Sequence, residues 1–159
     1  MAGAGTPATA QLARAGVPHT LHEYDVPADT PDYGRAVAAA LNVSAERLFK
    51  TLVVDVDGRL VVALVPASGD LDLKAVAAAA GGKRAELAER AAAERATGYV
   101  RGGISPLGQR RRLPTIVDSS AGGFATILVS AGRRGWQVEL APDDLVRLTG
   151  ATLAPIARP

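Results

Sequence analysis

Residues 97–118 read Thr-Gly-Tyr-Val-Arg-Gly-Gly-Ile-Ser-Pro-Leu-Gly-Gln-Arg-Arg-Arg-Leu-Pro-Thr-Ile-Val-Asp. No other stretch departs so far from what a plain helix or strand needs. Glycines 98, 102, 103 and 108 let the backbone take positive φ or lie close against a ligand. Pro106 and Pro114 fix their own φ and bias the preceding residues toward extended conformations. The segment therefore reads as a shaped loop. Its amides either line a cavity suited to anionic oxygen or serve a long glycine-rich connection without a ligand.

Outward from this loop the chain alternates short helices and strands. Thr6 caps a helix with Pro7 at its first position, ending at Gly16. Thr20 to Val26 reads as a strand, and Tyr33 to Leu41 as a helix stopped by Asn42. Phe49–Val56 and Arg59–Val65 flank Asp57-Gly58, a strong hairpin signal. A helix from Asp72 to Ala80 ends at Gly81-Gly82, a short strand falls near 85–87, and a helix near 89–95 leads into the loop. Beyond it, Thr115–Asp118, Phe124–Ser130 and Trp136–Leu140 read as strands, the last two as a hairpin. Pro142 opens a final helix ending at Thr149-Gly150, and 152–156 reads as an edge strand. Hairpins with few β-α-β crossovers favour an α+β fold over a doubly wound parallel sheet.

Bulk properties narrow the function classes. At 159 residues, 48% hydrophobic and 21% charged, the chain suits one globular domain spanning 1–159. No apolar run reaches the ~18 residues of a membrane span, and no basic-then-apolar leader opens the sequence, so a cytoplasmic location is expected. Cysteine is absent, which excludes disulfides, thiolate metal sites and a cysteine nucleophile. The two histidines, His19 and His22, fall on an expected strand, where a spacing of three puts them on opposite faces, so no metal site is expected. The net charge of +2 and pI near 9.3 do not by themselves indicate nucleic acid.

The loop from Gly102 to Asp118 resembles the signature of the YbaK family, the free-standing Cys-tRNA(Pro) deacylases. Four further segments match in the same order: Tyr24 with Tyr33-Gly34, Leu48 to Val53, Leu71 to Lys74, and Phe124 to Ser130. The resemblance runs from about Thr6 to Arg158. It implies a mixed, partly closed β-barrel-like sheet with helices packed around it. It also implies trans-editing, the removal of cysteine from mischarged Cys-tRNA(Pro), with Cys-tRNA(Cys) as a further substrate.

The resemblance carries the family's functionally required lysine to Lys50, which composition alone would leave at a strand edge facing water. Gly102 joins it as a catalytic candidate, presenting backbone groups to the aminoacyl unit. Tyr24, Tyr33, Gly103, Ser105, Pro106 and Ser130 are the expected substrate-binding residues. Tyr33 replaces the usual phenylalanine, and Gln137 stands where relatives often carry an aspartate, which leaves its role open. Arg101, Arg110, Arg111 and Arg112 are expected to meet acceptor-end phosphates, contacts that supply affinity without base readout. No metal and no organic cofactor is expected, and the partners implied are aminoacylated tRNA and prolyl-tRNA synthetase.

No conventional nucleophile with its base can be assembled from this inventory. Cysteinyl-tRNA brings its own thiol close to its ester carbonyl, and proximity alone supplies a large rate factor. The resemblance implies that substrate-thiol mechanism. Deacylation of Ala-tRNA(Pro) by water, or a non-catalytic module that binds tRNA or a synthetase, are the competing readings.

Overall fold

The computed structural model describes residues 5–159. Its clearest unit is the expected hairpin of β2 (Phe49–Val56) and β3 (Arg59–Pro66), in register from Phe49–Pro66 to Val56–Arg59. Asp57 and Gly58 both take positive φ, 50° and 89°, as a two-residue turn matched to strand twist requires. The continuous apolar run of β3 is explained by burial on both faces. Val62 and Leu64 enter one core with Phe49, Ile127 and Leu140, whereas Val61, Ala63 and Val65 enter a second with Val76 and Ile156.

On the β3 side, β6 (Thr115–Asp118) and β9 (Thr152–Ala154) extend this sheet in parallel; on the β2 side, β5 (Ala85–Leu87) adds antiparallel. A second sheet has the order β1 (Thr20–Glu23), β8 (Trp136–Leu140), β7 (Ile127–Ser130), antiparallel throughout. The barrel-like part of the expectation is not confirmed. The fold is mixed α+β, and its sheets do not close. They meet at one parallel bridge, Leu48 to Leu128, supported by the Leu128 N–H donating to the Arg47 carbonyl at 2.9 Å.

The helices are α1 (Pro7–Ala15), α2 (Tyr33–Ala40), α3 (Leu73–Ala79), α4 (Arg90–Thr97) and α5 (Pro142–Thr149). Thr6 and Thr9 cap α1 reciprocally, and Asp72 caps α3 through the Ala75 N–H at 3.1 Å. Val37 and Ala38 of α2 pack on Leu48 and Leu128, which covers the point where the sheets meet. Two expected strands are shorter than their apolar patterns. β1 stops at Glu23, opposite the first residue of β8, with the Tyr24 N–H donating one step further on to the Gly135 carbonyl, and β7 starts at Ile127, beyond a 3₁₀ turn over Ser119–Gly123. The expected strand at 152–156 is met only over 152–154, as β9, and a further strand, β10 (Ala157–Arg158), follows after two residues. The latter pairs with a two-residue strand, β4 (Asp70–Leu71).

That interruption has a specific cause. Asp118 is 6% exposed and accepts hydrogen bonds from the backbone N–H groups of Ile156 and Ala157, both at 2.9 Å. The Ser120 hydroxyl at 2.6 Å and the Ser120 N–H at 3.2 Å complete its shell. Burial acts to raise the Asp118 carboxyl, but the four donors outweigh it and hold the group below its ordinary value. Because the folded value is lowered, the stabilisation is present above the unfolded carboxylate value of about 4 and fades as pH falls through that value. Asp118→Ala is expected to cost roughly 3 kcal/mol, the scale of losing several charge-assisted bonds to one buried group. Urea melts at pH 7 and at acid pH check this: the deficit should be largest at neutral pH and shrink on acidification.

Candidate active site

The β2 strand has a partner along its whole length on the β3 side, but not on the other. There Leu48 bridges β7 and Val54–Val56 pair with β5, which leaves Phe49–Val53 with no strand alongside. A cleft of about 840 Å³ opens at this gap. An unpaired edge beside a cavity presents main-chain donors and acceptors to whatever enters.

Lys50, Tyr33, Gly102, Ser130 and Arg101 all line this cleft, brought together from four separate parts of the chain. The Lys50 Nζ donates to the Gly69 carbonyl at 3.1 Å, and its stem runs over Gly34. A Cβ added at Gly34 would lie 3.3 Å from the Lys50 Cδ and 3.2 Å from the Ala67 Cβ, so the glycine makes room for the lysine. Tyr24 joins through Tyr33: the rings pack edge to face with centroids 6.5 Å apart, and the Tyr33 hydroxyl donates to that of Tyr24 at 3.4 Å. Burial first, then Tyr24, pushes the Tyr33 hydroxyl far above its ordinary value, so it remains a neutral donor and cannot act as a base.

The signature loop is organised differently from a ring of inward amides. Its N–H groups at Arg101, Gly103, Leu107, Gly108, Arg110 and Arg111 all donate within the protein, to Glu94, Val100, Ser105, Gln11, Thr97 and Ala96 respectively. Among the described residues the N–H groups of Gly102 and Ile104, both in the cleft lining, have no such acceptor. Gly102 takes φ 91°, and a Cβ there would sit 2.7 Å from the Arg134 guanidinium. Arg134 in turn donates to the Arg101 carbonyl at 2.9 Å. Glu94 accepts the Arg101 N–H and pairs with Arg90, which together hold its carboxyl below the ordinary range.

Three expected binding residues lie beneath the cleft surface instead of lining it. Gly103 is buried against the 133–134 backbone, and Ser105 and Pro106 are buried inside the loop. The Ser105 Oγ accepts the Leu107 N–H, and its carbonyl accepts the Gln109 amide. Arg111 and Arg112 line a different cavity, while Arg110 rests against Gly98. His22, expected on the surface, is half-buried and shares a hydrogen bond with Glu139 at 2.8 Å, and Arg47 meets the same carboxylate at 3.0 Å. The Thr126 hydroxyl first, and then His22, hold the Glu139 carboxyl below its ordinary value. His19 lies outside β1 and bonds the Val17 carbonyl. Among the described residues no group of three or more His, Asp or Glu could hold a metal ion, and no helix is long and apolar enough to cross a membrane.

Two residues absent from the sequence expectations as ligand-facing groups belong here. Gln137, opposite Ser130 across β7 and β8, is 6% exposed, and its Oε1 is buried without a hydrogen-bond partner. The Thr51 Oγ1 is the other such side-chain atom among the described residues, and both residues line the cleft. A buried acceptor without a donor costs about 1–3 kcal/mol, so two of them at one cavity mark a surface built to meet something else.

In architecture the protein is an open-sheeted α+β domain with a cleft at a strand gap. Solved structures share that architecture over nearly the full length. One is a crystal structure of hypothetical protein APE2540, 25% identical, with a TM-score of 0.84 over 96% of this chain and 99% of that one. Another is described as "a putative trans-editing enzyme for prolyl tRNA synthetase", 24% identical, with a TM-score of 0.83 over 96% of both chains. The chain belongs to the aminoacyl-tRNA editing domain family, whose model matches residues 28–148. It is also 43% identical over 122 residues to the "Putative Cys-tRNA(Pro)/Cys-tRNA(Cys) deacylase EbsC" of Enterococcus faecalis, a match covering 76% of this chain and 74% of the relative.

The paired glycines give a direct test. At Gly103 a Cβ would meet the Arg134 backbone nitrogen at 2.9 Å and Arg133 backbone carbons at 3.1 Å, which no rotamer change relieves. Gly103→Ala should therefore destabilise the fold by about 1–3 kcal/mol in urea melts. At Gly102 only a flexible guanidinium stands in the way, so Gly102→Ala should cost about 1–2 kcal/mol, from the positive φ alone.

Proposed function

We propose that this protein is a trans-editing deacylase that removes cysteine from mischarged Cys-tRNA(Pro), and from Cys-tRNA(Cys), using the thiol of the substrate. The observation that carries the mechanism is the chemistry of the cleft wall. It holds no cysteine and no histidine. Its one serine, Ser130, has its Oγ engaged by the Gly132 N–H with no base beside it. Its carboxylates are engaged too, Asp32 with Arg35 at 3.2 Å and Glu94 as above. A cleft so furnished positions and polarises, and leaves the nucleophile to the substrate.

The ester carbonyl sits near Lys50 and the Gly102 N–H, which stabilise the oxyanion as it forms. The cysteine sulfur attacks that carbonyl, the C–S bond forms, and the C–O bond to the terminal ribose breaks. The thiol proton ends on the ribose oxygen, and the cyclic thiolactone is later opened by water. Tyr24 and Tyr33 wall the aminoacyl group, and Ser130, Thr51 and Gln137 offer acceptors to its ammonium. Arg101 and Arg134 stand at the same cleft, where a terminal phosphate would pass. The identity of the tRNA is left to a partner, and the resemblance and the described role of one structural relative favour prolyl-tRNA synthetase.

Incubating the protein with Cys-tRNA(Pro), Ala-tRNA(Pro) and Ser-tRNA(Pro) tests the reading. Loss of cysteine alone, with the thiolactone seen by mass spectrometry, is expected. Loss of alanine instead would make water the nucleophile, and survival of all three esters with the synthetase present would leave only a binding module. Lys50→Ala should lower kcat by about 10²-fold or more, the scale of one oxyanion donor, with binding of uncharged tRNA largely kept.

Gln137→Leu separates stability from recognition. Removing the unpartnered carbonyl should stabilise the fold by about 1 kcal/mol, because its desolvation is no longer uncompensated. The same change should raise KM for the cysteinyl ester, as steady-state kinetics beside a thermal melt would show.

A further inference from the structure

A second cavity, of about 760 Å³, shares no lining residue with the cleft. It lies at the leading ends of three neighbouring parallel strands. Arg59 opens β3, Arg111 and Arg112 precede β6, and Thr152 opens β9. The register Val62–Thr115 places Arg59 and Arg112 at equivalent steps before paired residues, and the Val62 N–H donates to the Pro114 carbonyl at 2.8 Å. The sheet thus brings the three arginines to the lining of one cavity.

Their backbone is held firmly. The N–H groups of Arg110 and Arg111 donate to the Thr97 and Ala96 carbonyls at 2.9 and 3.0 Å, at the end of α4. Arg112 lies over Gly150, where a Cβ would come within 2.6 Å of its Nη2. Among the described residues none of the three arginines makes an ion pair within 4.0 Å. The one acid in the lining, Asp55, accepts the Gly58 N–H at 2.7 Å. Arg59 also lies within electrostatic reach of the Asp57 carboxylate, and three arginines free of close ion pairs around one hollow form a phosphate-binding arrangement.

A free phosphate and a phosphodiester share that chemistry, and the placement favours the polymer. The two cavities lie on either side of α4: Arg90, Ala93 and Glu94 line the cleft, and Ala92 lines the second cavity. The signature loop runs from one to the other, with Arg101 at the cleft and Arg111 and Arg112 at the second cavity. A polynucleotide whose 3′ end enters the cleft finds the next row of cations there.

We propose that Arg59, Arg111 and Arg112 form a second phosphate-binding site that holds the backbone of an RNA whose 3′ terminus occupies the cleft. This rests on the reading of the cleft as an aminoacyl-ester site.

The probe is an uncharged acceptor-stem hairpin ending in single-stranded CCA, titrated by fluorescence anisotropy over a range of salt. Arg59→Gln/Arg111→Gln/Arg112→Gln should bind it more weakly, with a log–log salt slope shallower by about 2 to 3, the contribution of three phosphate contacts. Replacing the same three with lysine should restore most of the slope, and a urea melt of each variant reports whether it folds. With the cysteinylated RNA, the glutamine variant should show a raised KM and a retained kcat. An unchanged slope in a folded glutamine variant overturns the proposal. So does inorganic phosphate binding that the glutamine changes abolish while RNA affinity stays as in the parent, since the site is then for a free anion. If no ester is cleaved but the slope falls as expected, the deacylase reading fails and the phosphate site stands.

Discussion

The gap along one edge of β2 is the constraint on which the rest of the site depends. A strand needs partners on both edges or something else to meet its exposed amides and carbonyls. Here β7 is bridged only at Leu48, just before β2, and β5 joins only from Val54, so the five residues in between line a cavity. Lys50 and Thr51 fall inside that interval, and Ser130 and Gln137 face it from the other sheet. Had the sheets closed into a barrel, the same residues would have been covered by a neighbouring strand.

Holding that gap open requires rigidity on both sides. On one, Asp118 fixes Ile156 and Ala157, β10 pairs with β4, and β4 follows directly on Gly69, whose carbonyl receives the Lys50 ammonium. On the other, the signature loop is tied down by α1 and α4. The Tyr99 ring is buried beneath it and donates to the Leu107 carbonyl at 2.6 Å, and burial pushes its hydroxyl up to about 12. Gly132 leaves room for that ring, and Arg133 stacks on Trp136 at 4.5 Å to steady the 131–135 turn. Much of what makes the loop conspicuous in the sequence is therefore structural. The glycines permit close backbone packing, many of the amides are spent internally, and of the cleft-lining loop residues Gly102 and Ile104 keep an N–H without a protein acceptor.

The fold places its polar atoms with a cost that function explains. Gln137 and Thr51 each bury an oxygen without a hydrogen-bond partner at the cleft. Where a carboxylate would have brought an uncompensated charge into the same position, the amide brings a neutral dipole whose burial penalty is smaller. The site is thereby less electrostatically demanding in its empty state, and it leans more on shape and hydrogen bonding than on charge.

Local chemistry was legible without coordinates wherever it is decided by neighbours in the chain. Thr6-Pro7 and Asp72 announce helix starts, Asp57-Gly58 announces the hairpin, and the order of the Tyr24, Lys50 and Gly102 segments announces the family. Strand ends were read less well, since apolar pattern alone cannot show that Asp118 will capture two amides 38 and 39 residues away. The same limit applies to the site. Sequence named Lys50, Tyr33, Gly102 and Ser130, which the fold gathers at one cleft, but it could not separate Arg101, at that cleft, from Arg111 and Arg112, at another cavity, though they lie in one loop. Nor could it show that Ser105 and Pro106 are buried, or that Gln137 and Thr51 lack partners. Those facts depend on which strands stand side by side and which edges stay unpaired. Long-range packing sets that, and no residue carries it alone.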